Sequence, residues 1–165
     1  MNKINYTIVA VFILVFFSGL TLQLLPAKKR ESQRSEIKRL DQKYKNWLDV
    51  IHYIITPTEK EVFLKLKNNR ERGAFINLFW NLRDPSKGTP QNEFKEEHIK
   101  RFQYANRYFK YGSPRPGWKT DKGRTYILLG PPVSKNEIMT NGLHPIEIWE
   151  YYGGPQKGLP TAFRM

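Results

Sequence analysis

No cysteine occurs anywhere in the 165 residues. The chain therefore has no disulfide, thiol nucleophile or thiolate metal site, and no cysteine to carry a lipid near its start. Histidine is nearly as scarce. His52, His98 and His144 stand far apart, and none has a second histidine at the spacing of an H-E-x-x-H zinc helix. A Walker loop, a G-x-G-x-x-G turn and a G-x-S-x-G elbow are all missing, which leaves nucleotide binding and serine hydrolysis without support. The reading expects no catalytic group, no metal and no cofactor. Acidic residues are also in short supply: 15 Asp and Glu face 28 Lys and Arg, a formal charge of +13. Such a surface attracts anions without naming one. Mean hydropathy is low, at -0.62. Aromatics at 14% nevertheless argue for a packed core of modest size.

One stretch lacks charge altogether. Residues 6–25, YTIVAVFILVFFSGLTLQLL, would span about 30 Å as a helix, the thickness of a hydrocarbon core. Residues 9–17 are apolar on every side, which suits lipid better than a half-exposed helix. A cleaved signal peptide is the competing reading, but Leu25-Pro26-Ala27 is a poor cleavage site. Residues 1–27 are therefore read as a membrane anchor or signal-like segment, left uncleaved. The basic connector 28–45 follows, with eight basic residues against three acidic ones. By the positive-inside rule it would keep the following domain in the cytoplasm. Beside a membrane each such cation gains roughly 1 kcal/mol from anionic headgroups. Glu31, Glu36 and Asp41 interrupt the run, so a solvated stalk entering a helix explains it better.

Periodicity then marks helices. Leu40, Tyr44, Trp47, Leu48 and Ile51 recur at three and four, for a helix ending near Ile55. Thr56-Pro57-Thr58-Glu59 has the form of a capping box that opens a second. Asn68 with Glu71 caps a third, bearing Phe75, Phe79 and Trp80, stopped by Arg83-Asp84-Pro85. Thr89-Pro90 suggests another N-cap, followed by a helix that closes before Gly112. Beyond the stiff Ser113-Pro114-Arg115-Pro116-Gly117 the pattern changes, and residues 124–129 and 146–152 read as strands. The class is α+β: an N-terminal transmembrane helix, a helical region, then a small antiparallel sheet incomplete at its C-terminal end. The globular domain is placed at 46–152, with an irregular tail at 153–165.

Six ordered pieces of this region carry a resemblance. They are Phe79-Trp80-x-x-Arg83-Asp84-Pro85; Thr89-Pro90-x-Asn92-Glu93-Phe94; Arg101-x-x-x-Ala105-Asn106-x-x-Phe109; Gly117-Trp118-Lys119-Thr120-Asp121-x-Gly123-Arg124; Gly130-Pro131-Pro132; and Ile148-Trp149. Together they resemble the GWxTD domain family of bacterial proteins. The resemblance implies no established activity. It does imply export, which sets it against the charge rule and favours a domain outside the cytoplasm.

Read physically, the motif is a packed corner. Gly117 permits unusual backbone angles, Trp118 supplies a large apolar plate that should be buried against the helix bearing Phe79 and Trp80, and Thr120 and Asp121 can accept from amides in a turn closed by Gly123. Glu93, Glu97 and Arg101 lie at ion-pair spacing, and His98 falls on the apolar stripe. Nucleic acid is an unfavoured partner, because the cations are scattered and no strand interleaves aromatic and basic residues. The reading is thus a membrane-anchored, non-enzymatic binding or scaffold module at the cell envelope, its partner an unknown protein or polymer. One alternative is an envelope enzyme using Asp84 or Asp121. Another is an anionic lipid or polymer binder using 28–45.

Overall fold

A computed structural model describes residues 27–110, 112–139, 146–152 and 162–164. The apolar segment 6–25 lies outside the described residues. Among those described, no helix is long and apolar enough to cross a membrane. The chain divides between Leu82 and Arg83 into two compact units.

Among its described residues the first unit has the helices α1 (Ala27–Arg39), α2 (Gln42–Val50), α3 (Pro57–Lys65) and α4 (Asn69–Leu82). The basic stretch 28–45, expected as a stalk entering a helix, is helical over most of its length. Its Lys, Arg, Glu and Gln are straight-chain helix formers, and Lys29 anchors it by pairing with Glu61 of α3 at 2.6 Å. Hydrogen bonds from Lys29 and Lys65 hold the Glu61 carboxyl below its usual range.

The two helix starts expected in this unit are both present. Thr56 Oγ1 accepts from the Glu59 amide, and the Glu59 carboxylate accepts from the Thr56 amide. Asn68 Oδ1 accepts from the Glu71 amide at 2.9 Å ahead of α4. The helix expected to run to Ile55 stops at Val50 instead. Residues 51–55 turn on the Ile51 carbonyl, which accepts from both Ile54 and Ile55.

Aromatic rings dominate the core of this unit. Phe63 is fully buried, with Trp47 at 4.7 Å, Phe75 at 5.4 Å and Tyr44 at 5.9 Å between ring centroids. Tyr44 meets its polar requirement by donating to Asn69 Oδ1.

The second unit contains α5 (Glu93–Tyr108), a 3-10 turn (Gly117–Lys119), α6 (Asp121–Leu129) and the strands β1 (Ser134–Ile138), β2 (Ile146–Tyr152) and β3 (Ala162–Arg164). The order, helices before a small antiparallel sheet, is the α+β class expected. Three local expectations are corrected and one unanticipated strand is added. Thr89 does not cap α5; its hydroxyl donates to the Ser86 and Gln91 carbonyls, and Asn92 caps the helix by accepting from Lys95. Residues 124–129 are the body of α6, not a strand. Thr120 caps that helix and Gly130, at φ 83°, ends it, a conformation open to glycine at little cost. Residues 134–138, too polar to read as a strand, pair with β2 from Ser134↔Glu150 to Ile138↔Ile146. The tail expected to be irregular contributes β3, which pairs with β2 from Glu150↔Arg164 to Tyr152↔Ala162. Among the described residues the sheet is therefore three-stranded and antiparallel, in the order β1-β2-β3.

Phe63 is fully buried in the first core against the rings of Tyr44, Trp47 and Phe75. Phe63→Ala should destabilise the protein by about 3 to 5 kcal/mol, the usual range for emptying a buried phenylalanine site. Phe63→Leu, which keeps most of the volume, should lose much less. Denaturation midpoints of the two variants at constant m-value check this.

Candidate functional site

The site is assembled where the 3-10 turn lies against α5 and leads into α6. Here the backbones themselves touch. A Cβ on Gly117 would overlap the Ala105 carbonyl oxygen and stand 3.0 Å from Asn106 Cα. A Cβ on Gly123 would overlap the Gly117 carbonyl oxygen and stand 3.0 Å from Trp118 Cα. Glycine is needed at both places for closeness rather than for backbone angle, and Ala105 beneath them is fully buried.

Thr120 ties the corner together. Its hydroxyl donates to the Gly117 carbonyl at 2.7 Å and accepts from the Gly123 amide at 3.0 Å. One side chain thus caps α6 and closes the 3-10 turn. Trp118 is 3% exposed, its indole 5.6 Å from the Phe102 ring of α5, and its amide faces Asn106 Oδ1 at 3.5 Å. Lys119 lies over the outer indole face at 4.7 Å, a cation-π contact. Asp121 is exposed in the first turn of α6, where a negative charge complements the helix dipole. Arg124 is exposed one turn on, and its amide donates to the Thr120 carbonyl. The turn expected around Gly123 is thus a helix start closed by Thr120.

Residues 33–163 match the model of the GWxTD domain. The chain belongs to the GWxTD domain family. No curated protein and no solved structure matches it.

The other motif pieces of this GWxTD domain are placed with equal economy. Asn92 caps α5 and Glu93 lies exposed in its first turn. Asp84 Oδ1 accepts from the Ser86 amide at 3.0 Å, a turn stabilised by its own carboxylate. Arg83 beside it is half-buried and Pro85 exposed. Trp80 belongs to the first unit, buried edge-on to Phe79. Gly130 is buried, with the Arg101 guanidinium where a Cβ would stand, and its carbonyl accepts from Tyr151 Oη at 3.2 Å. Pro131 and Pro132 lead away towards β1.

Trp149 is buried among Phe109, Tyr126 and Tyr151, while Tyr126 stacks on Tyr104 at 4.5 Å. Glu147 receives hydrogen bonds from Lys122 of α6 and from Trp149 Nε1. Burial pushes its carboxyl up, but those bonds and the nearby lysine charges outweigh burial and hold it below the usual range. Arg101 pairs with Glu97 at 2.7 Å, at the spacing expected, and His98 is buried on the helix stripe.

Beside the corner lies a cleft of about 610 Å³. Its helical wall is Phe102, Gln103, Asn106, Arg107 and Lys110; its other wall is Ser113 to Pro116. Neither Asp84 nor Asp121 lines it. The sequence pattern marks the proline stretch as a stiff connector and does not point to this cleft. A trace of it lies in the cations on either side of Ser113 and in the adjoining Gly-Trp pair. Among the described residues, no cluster of His, Asp and Glu is arranged to hold a metal ion.

Gly117→Ala and Gly73→Ala form a matched pair. Gly73 lies within α4 with open space around a Cβ, so alanine there should stabilise by up to about 1 kcal/mol. Alanine at Gly117 should lower stability by several kcal/mol, because the obstacle is backbone. Trp118→Ala should cost about 3 to 5 kcal/mol and Thr120→Ala about 1 to 2 kcal/mol. Asp121→Asn should stay within about 1 kcal/mol of wild type. Chemical denaturation ranks all five.

Burial raises Tyr151 to about 12, with Tyr126 adding to the effect and the Arg101 charge opposing it. A raised phenol keeps its full contribution to stability below the ordinary pKa near 10 and loses it as pH climbs towards about 12. Wild type should therefore lose stability across that alkaline window. Tyr151→Phe should lose less there, a difference that tyrosinate absorbance and melting followed together would reveal.

Proposed function

We propose that the GWxTD domain is the binding part of a membrane-anchored, non-enzymatic scaffold protein at the bacterial cell envelope. In this reading residues 6–25 span the membrane, 28–45 lie beside anionic headgroups, and the domain stands outside the cytoplasm. The supporting observation is the corner itself: Gly117, Trp118, Thr120 and Gly123 are all occupied in holding α5, the 3-10 turn and α6 together. An enzyme built on the same motif needs a carboxylate facing a cleft. Asp84 instead accepts from its own turn, and Asp121 is an exposed first-turn residue. A cleft walled by three cations and no carboxylate suits holding a partner better than transforming one.

Three measurements on the full-length protein in its own cells test this. The chain should stay in the membrane pellet through a high-salt and alkaline-carbonate wash, and protease added outside the inner membrane should digest the domain. Asp84→Asn and Asp121→Asn proteins should reverse whatever phenotype deletion produces. Release by salt alone would contradict the anchor, and protection from external protease would contradict the orientation. Failure of either Asn variant despite a normal melting curve would return the reading to an enzyme.

A further inference from the structure

We infer that the cleft between α5 and residues 113–116 binds an extended acidic peptide segment of a partner protein, with apolar residues alternating between the acidic ones. This rests on the binding-module reading and names the partner class. Gln103, Asn106, Arg107 and Lys110 follow at spacings of three and four, so they form one stripe along α5 and its exit. Arg115 faces that stripe from the opposite wall.

Every polar side chain of the stripe offers donors. Asn106 Oδ1 is turned to the Trp118 amide, which leaves its amide N–H pair for a ligand. Lys110 and Arg115 are exposed, and neither makes an ion pair among the described residues. The matching ligand is rich in acceptors and negative in charge.

The rest of the cleft argues for peptide over bare polyanion. Phe102, Pro114 and Pro116 give it apolar faces, which a phosphate chain would leave unused. An extended strand directs successive side chains to opposite sides, so apolar residues can meet these rings while acidic ones meet the cations. The stripe from Gln103 to Lys110 measures about 10 Å, the length of about three extended residues. The motif corner sets the width of the cleft. Gly117 seats the connector directly on Ala105 and Asn106, and the Pro116 carbonyl accepts from Lys119 at 2.8 Å. Prolines at 114 and 116 stiffen the wall before any ligand arrives.

The test uses full-length protein in detergent and a fluorescein-labelled peptide of alternating Glu and Val, followed by anisotropy. An Arg107→Glu/Lys110→Glu/Arg115→Glu variant changes the cleft. An Arg30→Glu/Arg34→Glu/Lys38→Glu variant makes the same charge change on α1. Melting curves establish that each is folded, and single Lys110→Gln and Arg115→Gln variants serve if the triple is not. The cleft variant should bind about tenfold or more weakly, the loss expected from three exposed charge contacts, while the α1 variant keeps most of its affinity. A Lys-Val peptide should not bind.

Equal losses in both triple variants, or no loss in either, would overturn the inference. Polyphosphate or phosphatidylglycerol vesicles bound in preference to the peptide through the same three residues would overturn the peptide class and leave the binding-module reading intact. That reading fails separately, by loss of function in the folded Asp84→Asn or Asp121→Asn protein.

Discussion

Backbone touching backbone at two glycines is the constraint on which the second unit depends. Side chains can adjust to a neighbour by rotating, but a carbonyl oxygen pressed on a Cα position cannot move without its helix. Gly117 lets the 3-10 turn rest on α5, and Gly123 lets the first turn of α6 rest on that 3-10 turn. The Thr120 hydroxyl then bridges the two stacked layers. Everything C-terminal inherits its position from this stack. Gly130 closes α6 beneath the Arg101 guanidinium, Tyr151 donates to its carbonyl, and Lys122 of α6 reaches Glu147 of β2.

Both units place aromatic rings at the centre of their cores. A chain with 14% aromatic residues can build cores from few, large side chains, each removing a wide apolar area from water. In the first unit Phe63 is surrounded by Trp47, Tyr44 and Phe75. In the second, Tyr126 lies between Tyr104 and Trp149, with Phe109 alongside. Tyrosine and tryptophan bring polar tips that need partners. Asn69 Oδ1, the Gly130 carbonyl and the Glu147 carboxylate accept from Tyr44, Tyr151 and Trp149, whereas the buried Trp47 Nε1 has no acceptor among the described residues.

Local chemistry made much of this legible. Thr56 with Glu59, and Asn68 with Glu71, write their helix starts in four residues, and the structure uses both. The corner at 117–124 was legible as architecture, because glycine, a large ring and a hydroxyl at those spacings fit a tight junction. Residues 124–129 were not, since six residues of mixed β-branched and aliphatic character carry too short a period to separate strand from helix. The bond from the Gly123 amide to Thr120 is common to a turn and to a helix start, and only the seating of α6 on Gly117 decides between them. β1 was hidden for a related reason. Ser134-Lys-Asn-Glu-Ile is polar and exposed, so its strand character comes from pairing with β2. The cleft depends on a long-range contact, Gly117 on Ala105, that no local pattern announces.

The family motif thus works as a fastening, and the proposed binding surface lies beside it on α5 and the proline connector. Native-state hydrogen exchange of the 119–124 amides tests this most directly. The Lys119, Thr120, Gly123 and Arg124 amides donate to Pro116, Gly117, Thr120 Oγ1 and the Thr120 carbonyl respectively. As parts of a fastening they should exchange only on opening of the whole second unit, as slowly as the amides of α5. Exchange at the rate of an ordinary surface loop, with α5 still protected, would contradict the account.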